Sequence, residues 1–419
     1  MVKYPGDWKI YEFDDVFHIL PNNTLSRDKL TTRGNIGNIH YGDVLIKYGI
    51  ILTANDDIPK IKPECESSAK IFLRKNDIII ADTAEDETVG KAVQIGDVDI
   101  PLVAGLHTIP CRPVMPTAPG YLGYYINSKA YHDQLLPYIT GIKVSSISKA
   151  SIRKTLIPLP TLKEQTAIAD TLAAFDTHIS NLPELIAKKK AIRDGALDEL
   201  MTGRTRLKGF CGEWKMKTLG EVCKIFDGTH QTPKYTSMGI KFVSVENIRD
   251  IYKSEKYISI DDYNRDFKIY PQKGDILMTR IGDIGTPCIV SQDDPIAYYV
   301  SLALLKNISI NNAYLYYHIQ GRAFQKELYD RTLHHATPKK INKGEIGKCF
   351  VIIPPLDEQK AIADTLTALD TEISSLEAER AKISNIRDGA MNDLLTGKVR
   401  LIHGNRKTAP EPRNSLASR

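Results

Sequence analysis

The chain has 419 residues, 42% of them hydrophobic and 26% charged, with a net charge of +5; that length exceeds what one core supports, since single cores rarely grow past about 250–300 residues. No stretch approaches the roughly 20 apolar residues that span a bilayer, and the opening MVKYPGDWKIYEF holds no apolar run of signal-peptide length, so a cytoplasmic protein without membrane contact is expected. The six cysteines (Cys65, Cys111, Cys211, Cys223, Cys288 and Cys349) never form a C-x-x-C pair, which speaks against a zinc site or a disulfide framework.

In chain order, residues 1–157 read as a small α+β block. Asp77 to Ile80 is a short apolar run suited to a strand, and Tyr121 to Tyr138 has helical character. Residues 158–207 follow as one long helix. Pro160 and Glu164-Gln165 suit its start, and Gly203 suits its end. Its apolar seam is Ile168, Leu172, Phe175, Ile179, Leu182 and Ile186. Pro183 interrupts that pattern and predicts a kink, or a break after Asn181. Residues 208–352 form a second α+β block, with a strand at Lys241 to Val245 and helical character from Ala313 to Tyr329. Residues 353–402 are a second long helix, entered at Pro354, ended near Gly397, with a seam of Ile362, Leu366, Leu369, Ile373, Leu376, Ile383, Ile386, Ala390 and Leu394. The tail, 403–419, is polar, carries Pro410 and Pro412, and is expected to be disordered.

The two helical segments are copies. Glu164 to Leu207 aligns without a gap on Glu358 to Leu401, with 26 of 44 positions identical at a constant offset of 194. The blocks before them diverge but keep a faint common frame: Trp8-Lys9 matches Trp214-Lys215, Asp77-Ile78 matches Asp275-Ile276, and Tyr121 with Tyr124 matches Tyr314 with Tyr317. About ten apolar seam residues per helix, each worth about 1.5–3 kcal/mol when buried, cannot be left in water. The helices should therefore pack on each other. The expected fold class is α+β: two similar globular domains and two long helices pairing as an antiparallel coiled coil, with internal pseudo-twofold symmetry. Duplicated helices present one surface to two identical partners, while the divergent blocks are free to do two different jobs.

Catalytic signatures are missing from the sequence. Gly90-Lys91 is followed by Ala92 and Gly347-Lys348 by Cys349, and neither has the earlier glycine of a P-loop. Ile353-Pro354-Pro355-Leu356 lacks the polar amide and the ring of an adenine-methyltransferase motif, and no metal-ligand spacing occurs. Nucleic-acid binding has better support. The loop with His334, His335, Lys339, Lys340 and Lys343 is basic, and its counterpart holds Lys143, Ser145, Ser146 and Lys149; such groups suit phosphates, although solvated surface loops share this composition. Asp227 to Lys234 offers Thr229, His230, Gln231 and Lys234, where Gln and Lys can address base edges; a self-capping turn is the alternative. Arg33, Asn38, His40, Tyr41 and Lys47 are the matching polar set in the first block, and Arg280 is either a groove contact or a structural ion pair. On the helices, Lys188, Arg193 and Asp194 are retained as Lys382, Arg387 and Asp388, as expected of a docking face for two identical partners or of a solvated helix face.

The whole chain from about residue 8 to 402 resembles the DNA-specificity subunit of type I restriction-modification systems. The resemblance rests on the order block, repeat, block, repeat, and on Pro158-Leu-Pro-Thr-Leu-Lys-Glu-Gln165, Ile353-Pro-Pro-Leu-Asp-Glu-Gln359, Leu200-Met-Thr-Gly-Arg204, Leu394-Leu-Thr-Gly-Lys398 and Asp227-Gly-Thr-His-Gln-Thr-Pro233. It implies two target-recognition domains (1–157 and 208–352), each reading half of a split double-stranded DNA site, and two conserved repeats pairing as a spacer. It also implies two docked methyltransferase (M) subunits carrying S-adenosylmethionine, and two restriction (R) subunits using ATP and Mg. The chain itself would bind no cofactor and have no active site. A specificity subunit of another restriction class (type IIB-like), or a coiled-coil adaptor with no DNA role, would share parts of this pattern.

Overall fold

The computed structural model describes residues 2–141 and 143–401; the expectation for the tail 403–419 falls outside them. The chain divides into two compact units, Met1–Leu182 with Glu379–Arg419, and Pro183–Ala378. Each unit thus contains one β-rich block and part of both long helices.

In the first unit a five-stranded sheet runs in the order Phe17–Ile19, Thr108–Pro113, Ile78–Ala81, Ala92–Ile95, Ile51–Leu52, antiparallel except for the last pair. Its central strand is an unbroken apolar run because both faces are covered. Ile78 and Ile80 enter a core with Tyr121, Tyr124, Tyr125 and Leu122, while Ile79 and Ala81 enter another with Ile39, Val44 and Leu52. The segment expected to be helical at Tyr121 to Tyr138 is two short helices, Tyr121–Ile126 and Lys129–Leu135, separated where the Ser128 hydroxyl caps the second.

The second unit repeats this plan. Its sheet orders Lys224–Asp227, Leu302–Lys306, Ile276–Ile281 and Asp283–Ile289, all antiparallel. Ile276 and Met278 face one core with Leu315, Ile319 and Phe324; Leu277 faces the other with Phe242, Ile258 and Tyr298. The helical stretch again divides in two, Asn312–Gln320 and Arg322–Asp330.

The repeats form helices Leu162–Thr202 and Leu356–Leu395. Within each unit their pairing is antiparallel. In the second unit Leu197, Leu200 and Met201, late in the first helix, share a core with Ile362, Ala363 and Leu366, early in the second. In the first unit Ile168, Ala169 and Leu172 share a core with Met391, Leu394 and Leu395. Of the two expectations at Pro183, the break after Asn181 is absent, and the helix continues through the proline. Proline costs about 3 kcal/mol in a helix interior. Leu182 and Ile186, on either side, are both buried, and their burial, at about 1.5–3 kcal/mol each, outweighs that cost. One seam assignment is corrected: Ile386 is exposed, and Met391 and Leu395 are buried nearby instead.

The motifs that carried the resemblance meet where each helix begins. The Gln165 side chain accepts from the backbone N–H of Ala118 and donates to the carbonyl of Pro160, both at 2.9 Å. Gln359 does the same with Asn311 (2.9 Å) and Pro354 (2.8 Å). Buried Glu358 receives Arg206 and the indole N–H of Trp214 (3.0 Å). Buried Glu164 receives Arg400, whose guanidinium also reaches Asp7 and lies over the ring of Trp8. Gly203 and Gly397 both have φ of +69°, the left-handed conformation of a helix-ending glycine. A β-carbon there would press on Trp214 at 3.2 Å or on Pro5 at 2.4 Å.

Candidate nucleic-acid interface

In both units the loop before a short helix is sewn to the end of the central strand. In the first, the Ile147 N–H donates to the Asp82 carbonyl (2.8 Å), the Asp82 N–H donates to the His107 carbonyl (3.1 Å), and Ser145–Ser146 pair with Thr83–Ala84. In the second, the Ile341 N–H donates to the Arg280 carbonyl (3.0 Å), the Arg280 N–H donates to the Ser301 carbonyl (2.9 Å), and Lys340 bridges Ile281. The backbone frame is the same; the side chains hung on it are not.

On the first frame, the Thr83 hydroxyl donates to Asp82 at 2.8 Å, and His107 Nδ1 lies 3.3 Å from both Asp82 Oδ1 and Thr83 Oγ1. Tyr41 meets the His107 ring edge-on at 5.3 Å. Tyr41 thus joins this frame through His107, and Ser145 and Ser146 join it through Thr83–Ala84, with Lys143 exposed on the same loop and Lys149 exposed at the start of the helix that follows. Arg33 is exposed in the loop between Leu30–Thr31 and Gly37–Ile39, and Lys47 turns to Asp57 at 2.6 Å; neither hydrogen-bonds to this group among the described residues.

On the second frame, Arg280 donates to Asp227 (2.9 Å) and to the carbonyls of Val300 and Ile341 (both 3.1 Å). Lys343 lies 3.5 Å from Asp227. Thr229 bridges Tyr299 in the backbone, and its hydroxyl caps its own turn through Gln231 at 3.3 Å, leaving the His230, Gln231 and Lys234 side chains exposed. A β-carbon on Gly228 would strike the Tyr298 carbonyl at 2.4 Å, which is why glycine opens this turn. Lys339, Lys340 and His335 are exposed, while His334 is held against Tyr329, its Nε2 2.8 Å from the Tyr329 carbonyl.

Several expected contact residues are structural instead. Asn38 is wholly buried and accepts from Asn23 at 2.6 Å. Buried His40 caps the helix Tyr41–Ile46 by accepting from the Gly42 N–H (3.3 Å), and burial pushes its pKa below the usual imidazole value. Arg280, 6% exposed, spends its donors inside the fold, so of its two readings the ion pair holds. On the helices, Arg193 donates to Asp370 at 2.9 Å and Arg387 to Asp176 at 2.9 Å, each carboxylate also receiving a tyrosine hydroxyl at 2.8 Å, from Tyr317 and Tyr124. These arginines rivet helix to helix and globular part within their unit, and are too enclosed to serve as docking residues. Lys188, Asp194, Lys382 and Asp388 remain exposed. Asp82, Thr83 and His107 escaped sequence reading; the only signal was the weak alignment of Asp82 with Arg280 behind matching strands. Among the described residues, no group of three or more His, Cys, Asp or Glu could hold a metal ion, and no helix is long and apolar enough to cross a membrane.

Residues 5–188 and 212–385 each match the family model for the type I restriction modification DNA specificity domain. The chain is 26% identical to the putative type I restriction enzyme MjaX specificity subunit of Methanocaldococcus jannaschii, over 95% of each chain. It is 23% identical to the type I restriction enzyme EcoBI specificity subunit of Escherichia coli, over 65% of this chain and 66% of the other. Among solved structures, it is similar in fold to the S subunit of a type I restriction-modification system from M. genitalium (TM-score 0.57, 17% identity, 94% of this chain and 98% of that one). The HsdS subunit from Thermoanaerobacter tengcongensis is similar as well (TM-score 0.54, 19% identity, 95% and 98%).

Proposed function

The chain belongs to the type I restriction-modification DNA specificity family, and from that premise we propose that it reads an asymmetric, bipartite duplex site, one half with each unit, and scaffolds two adenine-N6 methyltransferase subunits. The observation that carries this reading is the shared backbone frame bearing unlike side chains: Asp82, Thr83 and His107 on one, a neutralised Arg280 beside Lys339, Lys340 and Lys343 on the other. Like frames suit like approaches to a duplex, and unlike side chains suit unlike half-sites. In this reading exposed Lys143, Lys149, Lys234, Lys339, Lys340 and Lys343 supply phosphate contacts, and Tyr41, Ser145, Ser146, His230, Gln231 and His335 supply contacts to sugars and base edges. Exposed Arg33 adds positive charge, whereas Lys47 is paired with Asp57.

The paired helices act as the spacer. Joining two readers makes the second contact intramolecular, so modest affinities multiply. Exposed Lys188 and Asp194, with their copies Lys382 and Asp388, offer each methyltransferase the same helix-surface pattern. The chain acts as a non-catalytic subunit in the cytoplasm. S-adenosylmethionine belongs to the methyltransferases, and ATP with Mg to two restriction subunits. Selection from a random duplex pool by the chain together with its methyltransferase partner tests the reading. Enrichment of two fixed half-sites at a constant gap is expected, and enrichment of nothing refutes it.

A further inference from the structure

We propose that His107 is a base-reading residue of the first unit, its Nε2 accepting a hydrogen bond from the exocyclic amino group of an adenine or cytosine in the major groove. This inference rests on the DNA-reading function above and names one reading group within it.

The ring's hydrogen-bonding state follows from its neighbours. The Asp82 carboxylate can only accept, and the Thr83 hydroxyl has already given its proton to Asp82 at 2.8 Å. His107 Nδ1 faces both oxygens at 3.3 Å, so Nδ1 carries the hydrogen. In the neutral ring Nε2 is then a bare acceptor, and it meets no hydrogen-bond partner among the described residues. Tyr41 packs edge-on at 5.3 Å and fixes the ring plane. The backbone, in the turn between Leu102–Ala104 and Thr108–Pro113, has φ of +55°, a conformation that few non-glycine residues adopt. The side chain is 48% exposed, beside the loop that holds Ser145 and Ser146.

The base preference is chemical. In the major groove adenine and cytosine present amino donors, whereas guanine shows N7 and O6 acceptors and thymine O4 and a methyl. An oriented lone pair at Nε2 therefore favours adenine or cytosine at one step. The second unit has no equivalent, because the matching residue, Ser301, is buried and accepts from the Val245 N–H at 3.1 Å.

The test is His107→Gly in the full complex, read by single-molecule sequencing of adenine methylation in the host. Glycine is at ease at a positive φ, so the ring is removed without new backbone strain. One position of one half-site, adenine or cytosine in the parent motif, is expected to become permissive, with about a tenfold loss of discrimination, while the other half-site and the gap stay fixed. If methylation is lost, the purified complex is scanned against single-base variants of the parent duplex, and flattening at one position supports the assignment. An unchanged preference at every position overturns it. A parent chain that specifies no bipartite motif would refute the proposed function itself, a result distinguishable from failure of the His107 assignment.

Discussion

Asp370→Ala should destabilise the second unit by about 2 kcal/mol. Asp370 receives Arg193 Nε at 2.9 Å on one oxygen and the Tyr317 hydroxyl at 2.8 Å on the other. Bonds to a charged group are worth about 1.5–3 kcal/mol each. Two things lower the sum. The carboxylate is 34% exposed, so solvent screens it. The partners also keep substitutes: Arg193 retains Gln320 at 2.7 Å and Asp194 at 3.2 Å, and Tyr317 retains Thr367 at 3.2 Å. The chain has two tryptophans, and the Trp8 indole nitrogen is buried without a partner. Trp8→Phe therefore leaves Trp214 to report the second unit by fluorescence in a urea titration. With a slope near 2 kcal/mol/M, the midpoint should fall by about 1 M. A cycle with Arg193→Ala should show a coupling of about 1 kcal/mol. Asp176→Ala, the matching change in the first unit, should leave this midpoint in place. Zero coupling, or an equal drop from Asp194→Ala, would refute the rivet and return Arg193 to a docking role.

Burial pushes the His318 pKa down to about 4, below the 6.5 of an unfolded chain, so the folded state binds fewer protons between those values. Stability is full above pH 6.5 and falls as pH drops toward 4, by on the order of 2 kcal/mol at pH 5; His318→Phe should flatten that slope in urea titrations of the Trp214 signal. Replacing both Lys339 and Lys340 by alanine should lower the slope of log K against log salt by roughly 1.8 if each meets one phosphate, measured by fluorescence anisotropy on the target duplex, and leave base preference unchanged. Inserting one heptad in each long helix adds about 10 Å, or about three base pairs of duplex. The methylated motif should change its gap and keep both half-sites.

The duplication made much of this fold legible. Glu164-Gln165, Glu358-Gln359, Trp8, Trp214, Arg206 and Arg400 all meet at the helix starts, and the apolar seams bury nearly as their spacing requires. Charge retained at fixed helical phase was ambiguous, because an internal ion pair and a docking face constrain a residue alike. Arg193 and Arg387 proved internal, while Lys188 and Lys382 stayed outside. Asn38, His40 and Arg280 show the same limit in the globular parts: a polar residue in a polar stretch can still be buried once its partners arrive from far along the chain, as Asp227 does for Arg280. His107 escaped for the converse reason. It gains its role from Asp82, Thr83 and Tyr41, which only the folded sheet brings to it.

The most direct measurement is genome-wide adenine methylation in the host with and without this chain. A motif of two unlike half-sites at a fixed gap should disappear with the chain and return on its re-expression. Methylation that does not change, or the loss of a single continuous motif, would contradict two different readers acting on one spacer.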